Sequence, residues 1–474
     1  MNSDSPYSPG GFPADFLWGT ATAAYQIEGV GEPGGRGTCI WDTFSRTGGV
    51  LNHDNGDVAC DHFHRLDEDL DLLQRLGVSA YRFSLSWSRI QPDGEGELNV
   101  SGLDFYRRVV AGLRERDIIP LATLYHWDLP QALEDRGGWS SREVAERYAD
   151  YVDLVAAPLV AEGVDKWITI NEPWCVSWLG YGAGIHAPGH HDVGRAVAAN
   201  HHVLLAHGLG VDVLRAAGAP EVGITLNLSV FTPATDDPAD VAAAARARGN
   251  LNGLFLDPVL RGSYPADMVE HYAGRSPGFD VVQPGDLEII SRPLDFLGVN
   301  YYSANVICDP ARIGEVRALG YNAGPPSTNP FDVDLAAVAV GAPTDQTTLM
   351  GWPVQPVGLT DLLVSLRDEY TDLPILITEN GAAYADYVDP SGKVHDVERV
   401  AYIDQHLVAV RDAIAKGVNV KGYFLWSLLD NFEWALGYSR RFGIVWVDYP
   451  TGNRVPKDSF ERYREVIASK GALL

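Results

Sequence analysis

The chain has 474 residues, 46% hydrophobic and 21% charged, enough apolar material for a large core in an ordinary globular protein. Its 36 basic and 63 acidic side chains give a net charge of −27, a sign that repels nucleic acid phosphates and anionic membranes and favours neutral ligands. No apolar run reaches the roughly eighteen residues of a membrane-spanning helix, and Met1–Tyr7 has neither a basic nor an apolar leader region, so a cytoplasmic location is expected.

In chain order, residues 1–12 read as a disordered Ser/Pro/Gly leader, and 13–474 as one domain. Phe16–Ala21 makes a first strand. Phe63, Leu66, Leu70 and Leu73 recur at helical spacing until Gly77 ends the helix. Tyr81–Leu85 alternates as a second strand; Arg82 and Ser84 share a face that a parallel sheet cannot leave to solvent, so they point into a polar cavity. A helix around Phe105, Val109 and Leu113 leads to a third strand, Ile118–Leu124, ending in Tyr125-His126-Trp127-Asp128.

A helix over Val144–Leu159 precedes Trp167–Ile170, an apolar run that ends in Asn171, Glu172 and Pro173. Pro173 has no N–H to continue a ladder. An Ala-rich helix from His202 to Ala217 leads to a fifth strand, Val222–Asn227; Phe296–Asn300 is the sixth. Ile375–Glu379, the seventh, repeats the plan of an apolar run capped by a carboxylate, with Gly381 freeing the backbone to turn away. Ile403, Leu407, Val410 and Ile414 mark a last helix before the eighth strand, Val420–Trp426. The Gly/Pro-rich stretch 303–355 reads as an irregular loop over the mouth.

Eight strands alternating with helices predict a single α/β (β/α)8 barrel with extended loops, its active site where the strands end. Gln26, Arg82, His126, Asn171, Glu172, Asn227, Asn300, Glu379, Trp426 and Glu433 then converge on one mouth. Either glutamate alone reads best as a cap or an ion-pair partner. Two of them, far apart in sequence, each at a strand end and each beside an Asn, fit a retaining glycosidase, in which an acid/base and a nucleophile face each other across a sugar. Cys39, Cys60, Cys175 and Cys308 form no paired motif and read as free buried thiols. His186, His190 and His191 cluster in a Gly/Pro loop, but this chemistry asks for no metal and no cofactor.

Six strings carry a more specific signal: Phe16–Gly29, His126-Trp127-Asp128-Leu129-Pro130, Asn171-Glu172-Pro173-Trp174, Asn300-Tyr301-Tyr302, Thr378-Glu379-Asn380-Gly381 and Trp426–Trp434. With them the chain resembles glycoside hydrolase family 1, the β-glucosidases and their relatives, from about Phe16 to Tyr463. The resemblance implies Glu172 as acid/base and Glu379 as nucleophile, with Arg82, Asn300 and Tyr302 supporting the nucleophile. It implies Gln26, His126, Asn171, Glu433, Trp434 and the Trp426 platform as sugar contacts, and Trp352, Trp174, Asn227 and Phe442 around the outer part of the substrate. The intact Glu433-Trp434 pair speaks against 6-phosphorylated sugars, and Glu172 against thioglycosides. A β-glucoside or short oligosaccharide is the expected partner, with β-galactosides, β-fucosides or transglycosylation as alternatives in the family and a silent sugar-binding protein as the non-enzyme alternative. The residues leave the oligomeric state open.

Overall fold

The computed structural model describes residues 8, 10–32, 35–323, 333–342 and 346–474. Eight parallel strands close into a barrel in sequential order: Leu17–Ala21, Ala80–Ser84, Ile119–Tyr125, Lys166–Asn171, Glu221–Asn227, Phe296–Asn300, Ile375–Asn380 and Val420–Trp426. Each is an almost wholly buried run, as expected where helices cover the outside of a parallel sheet. The covering helices include Leu66–Leu76, Val100–Arg114, Arg142–Ala161, Val193–Ala216, Pro356–Glu369 and Val397–Ala415. Gly77, left-handed at φ 79°, ends the first of these as the sequence predicts.

Of the expected leader, residues 1–7 and 9 lie outside the described residues. Phe12 does not behave as leader: it is fully buried, its ring 4.9 Å from Phe16 and 4.8 Å from Trp18. The C-terminal helix Asp458–Ala468 packs nearby, and the Tyr463 hydroxyl donates to the Gly19 carbonyl at 2.9 Å.

The stretch 303–355 departs from the irregular loop expected. Residues 324–332 and 343–345 lie outside the described residues, but the rest supplies Asn305–Cys308, Asn322–Ala323 and Val338–Gly341 to a four-stranded sheet. Its fourth strand, Phe231–Pro233, comes from the loop after the fifth barrel strand and pairs in parallel with Asn305–Cys308. Gly381 also has a different reason from the one expected. A Cβ there would meet the Trp426 carbonyl oxygen at 1.7 Å, so glycine lets the seventh and eighth strand ends approach.

Behind the mouth, six buried or partly buried charges lock the end of the eighth strand to the C-terminal region. Lys457 Nζ, fully enclosed, donates to Asp430 Oδ1 at 2.7 Å and Asp386 Oδ2 at 2.5 Å; Arg399 donates to Asp386 at 2.7 Å and also to Asp396, and Arg441 donates to Asp430 at 2.7 Å. Three cations face three carboxylates, so removal of one leaves a buried charge uncompensated. Lys457→Met should lower unfolding free energy by about 3–5 kcal/mol, measured by denaturant unfolding; a loss within about 0.5 kcal/mol would show that the cluster carries no such strain.

Candidate active site

Glu172 follows the last residue of the fourth strand and Glu379 is the penultimate residue of the seventh. The Glu172 N–H donates to the Thr225 carbonyl at 2.9 Å, tying it to the fifth strand, while the Glu379 carbonyl accepts from the Tyr301 N–H at 3.0 Å. Glu172 itself takes φ 47°, and Trp127 and Trp434 take φ 79° and 50°. Left-handed backbone at non-glycine residues costs about 1–3 kcal/mol each and persists where surrounding contacts impose it.

Those contacts start at Arg82, 1% exposed and pointing into the barrel. Its guanidinium donates to Glu379 Oε1 at 2.7 Å, the Thr378 carbonyl at 3.0 Å, Asn171 Oδ1 at 2.6 Å and Thr123 Oγ1 at 3.1 Å. A guanidinium only donates, so the Asn171 atom facing it is the carbonyl oxygen. The Asn300 atom 3.1 Å from that same oxygen is therefore its amide nitrogen, which also donates to Glu172 Oε1 at 2.7 Å. Asn171 turns its own NH2 to His126 Nε2 at 3.0 Å, which makes Nε2 the acceptor and places the imidazole proton on Nδ1. One cation thus fixes two amides, one tautomer and both carboxyls.

Burial and the neighbouring Glu379 charge push the Glu172 carboxyl up to about 8. Burial raises Glu379 too. That rise is opposed by the Arg82 charge and by hydrogen bonds, the Tyr302 hydroxyl donating to Oε2 at 2.6 Å. A shared proton therefore resides on Glu172, which has no cation of its own. Glu433, raised to about 8 by burial and by both other glutamates, also stays protonated near neutrality. Burial, with Arg82 beside it, holds His126 well below its usual range and neutral.

Three expected sugar contacts keep a buried polar atom without a hydrogen-bond partner: Gln26 Oε1, His126 Nδ1 and Glu433 Oε2. Buried polar atoms are rarely left so. Gln26 is held by donating to Asn431 Oδ1 at 3.0 Å and the Phe432 carbonyl at 2.8 Å. The His126 ring lies nearly parallel to both Trp426 and Trp434, at 5.7 and 5.9 Å between centroids. At the rim, Trp352 lies 5.3 Å from Tyr302 and 6.2 Å from Phe442, forming an apolar rim cluster. Asn227 ends the fifth strand level with Asn300. Trp174 is 4% exposed, and its indole N–H donates to Asn250 Oδ1 at 2.7 Å.

Sequence reasoning missed Cys175. It stands among the four free buried thiols, yet its Sγ donates to Glu172 Oε2 at 3.1 Å. Its place three residues beyond Glu172 carries no signal of its own, because the left-handed Glu172 backbone breaks helical spacing. Of the loop histidines, His190 pairs with Glu134 at 2.7 Å and His186 packs on Trp41 and Trp127. Among the described residues no three His, Cys, Asp or Glu side chains converge as a metal site.

Two buried glutamates at the ends of opposed barrel strands, one of them ion-paired to Arg82, are an arrangement that fits a glycoside hydrolase. The chain belongs to glycosyl hydrolase family 1, whose profile matches residues 8–472. It is 43% identical to β-glucosidase A of Acetivibrio thermocellus over 97% of this chain and 99% of that protein. It is 46% identical to a bifunctional β-D-glucosidase/β-D-fucosidase of Bifidobacterium breve, with the same shares covered. The crystal structure of a psychrophilic β-glucosidase from Micrococcus antarcticus superposes with a TM-score of 0.91 at 47% identity, over 97% of this chain and 98% of that one.

Because Arg82 opposes protonation of Glu379, Arg82→Met should move the acidic limb of kcat/KM for an aryl glycoside to higher pH by about one unit or more. Activity is then lost more heavily at low pH than at pH 7. An unmoved acidic limb would separate Arg82 from that titration.

Proposed function

We infer that the chain is a retaining β-glucosidase that removes terminal non-reducing β-D-glucosyl units from cellobiose, short β-glucans and aryl or alkyl glucosides. The observation that carries this reading is the unequal setting of the two carboxyls: Glu379 is ion-paired to Arg82 at 2.7 Å, while Glu172 has no cation of its own and is pushed up to about 8 by burial and the Glu379 charge. Glu379 attacks the anomeric carbon while Glu172 gives its proton to the departing glycosidic oxygen, which takes the bonding electron pair. Glu379 loses its charge in the resulting ester, which lowers the pKa of Glu172. As a carboxylate, Glu172 then takes a proton from water as the water oxygen attacks and the ester bond breaks. Gln26, His126, Asn171 and Glu433 bind the sugar hydroxyls, and Trp426 and Trp434 flank the ring. Tyr302 holds Glu379 in place, and Trp352, Phe442 and Asn227 meet the leaving group.

The name of the Bifidobacterium relative favours a second reading, activity on β-fucosides. D-Fucose lacks the 6-hydroxyl of glucose and carries its 4-hydroxyl inverted, both contacts assigned here to Glu433, so those two positions together decide between the readings. The four unpaired cysteines support a reducing compartment, the cytoplasm, as the place of action.

Glu379→Gln should reduce hydrolysis by about four orders of magnitude or more while sugar binding persists; retained turnover would defeat the assignment. For the intact enzyme kcat/KM should be bell-shaped. The acid form of Glu172 is required, so activity falls as pH rises through about 8. Among p-nitrophenyl β-glycosides, glucoside should have the highest kcat/KM with fucoside next; galactoside in first place would contradict the substrate assignment.

A further inference from the structure

We propose that Cys175 is a positioning residue for the acid/base, a switchable hydrogen-bond partner of Glu172 Oε2, the oxygen that carries the catalytic proton. The proposal rests on the reading of Glu172 as acid/base, and it follows from the chain of orientations that begins at Arg82. Asn300 can only donate to Glu172 Oε1, because its amide nitrogen is already identified by the Asn171 oxygen that Arg82 holds. A proton on Oε1 would point at a donor. It therefore resides on Oε2, where Cys175 Sγ lies at 3.1 Å.

A thiol is the one neighbour at this site that fits both states of the reaction. When Glu172 is a carboxylate, S–H donates to Oε2; when Oε2 carries the proton, the S–H rotates away and sulfur becomes a weak acceptor. An amide or guanidinium in its place would donate permanently and penalise the acid. A methyl group would offer nothing to the base. Space for the rotation exists, because Cys175 lines a cavity of about 10 Å3 with Ile40, Trp41, Trp127 and His186, no larger than a single water. The backbone brings the sulfur there: Glu172 is left-handed, and Cys175 opens a π-helical turn, Cys175–Gly182, so that a residue three positions on is folded back over the carboxyl.

In the first half-reaction the proton on Oε2 passes to the glycosidic oxygen as the C1–O bond breaks, and the thiol turns to donate to the new carboxylate. In the second, Oε2 receives a proton from water and the thiol turns back. No electrons pass through sulfur at any point.

The test is the basic limb of kcat/KM in Cys175→Ala and Cys175→Ser. Loss of a donor to the carboxylate should raise that limb by about half a pH unit in the alanine variant, and serine should restore it to the native position or below. If the alanine limb coincides with the native one, or if both variants shift equally, Cys175 is merely packing. A readout on the native enzyme does not depend on variant folding: the S–H stretching band assigned to Cys175 by its absence in Cys175→Ser should move as pH crosses the basic limb. A band constant across that range overturns the proposal. Failure of the parent reading is distinguishable, since Glu172→Ala would then keep its basic limb and gain nothing from added azide, whatever the Cys175 variants do.

Discussion

The site depends on a single buried cation. A guanidinium has no acceptor and one fixed shape, so wherever Arg82 points, the facing atoms must be acceptors, and for an amide that means its oxygen. Asn171, Asn300 and His126 each have two chemically distinct ends, and Arg82 decides which end faces the pocket, directly for Asn171 and through it for the others. Alone in the barrel, such a charge would be costly to bury. Glu379 offsets it, and the cation in turn opposes the protonation that burial would otherwise force on Glu379.

The same count explains why three carboxyls can share one mouth. Glu172, Glu379 and Glu433 all resist ionisation, but only Glu379 has a hydrogen-bonded cation. With protons on Glu172 and Glu433, the buried positive and negative charges balance. A neutral, hydroxyl-rich ligand enters without disturbing that balance. In the proposed double displacement, loss of the Glu379 charge in an ester would disturb it and make Glu172 more acidic at the step that needs a base.

The barrel was legible because its strands are short apolar runs with polar tips, and all eight lie where the pattern places them. Arg82 was legible for the same reason, as a cation on a face denied to solvent. The small sheet beside the mouth was not: its strands are two to four residues long, too short for an alternation to register. Phe12 sits in a Ser/Pro/Gly context that hides a buried anchor. Lys457, surrounded by ordinary surface-type residues in sequence, acquires its partners only through folding. Trp174 carried the expected motif, but the direction of its N–H toward Asn250 is a matter of packing. The thiol beside Glu172 was invisible for another reason, since a buried cysteine has no pattern that separates filler from participant.

The supplementary sheet joins chain that leaves the barrel at two places, after the fifth strand and after the sixth. These excursions are consequently not independent flaps. Displacing Phe231–Pro233 pulls on Asn305–Cys308, and the latter segment belongs to the same excursion that reaches Trp352. The entrance on this side is therefore one stitched panel, while the strand-end carboxyls underneath stay fixed to the barrel.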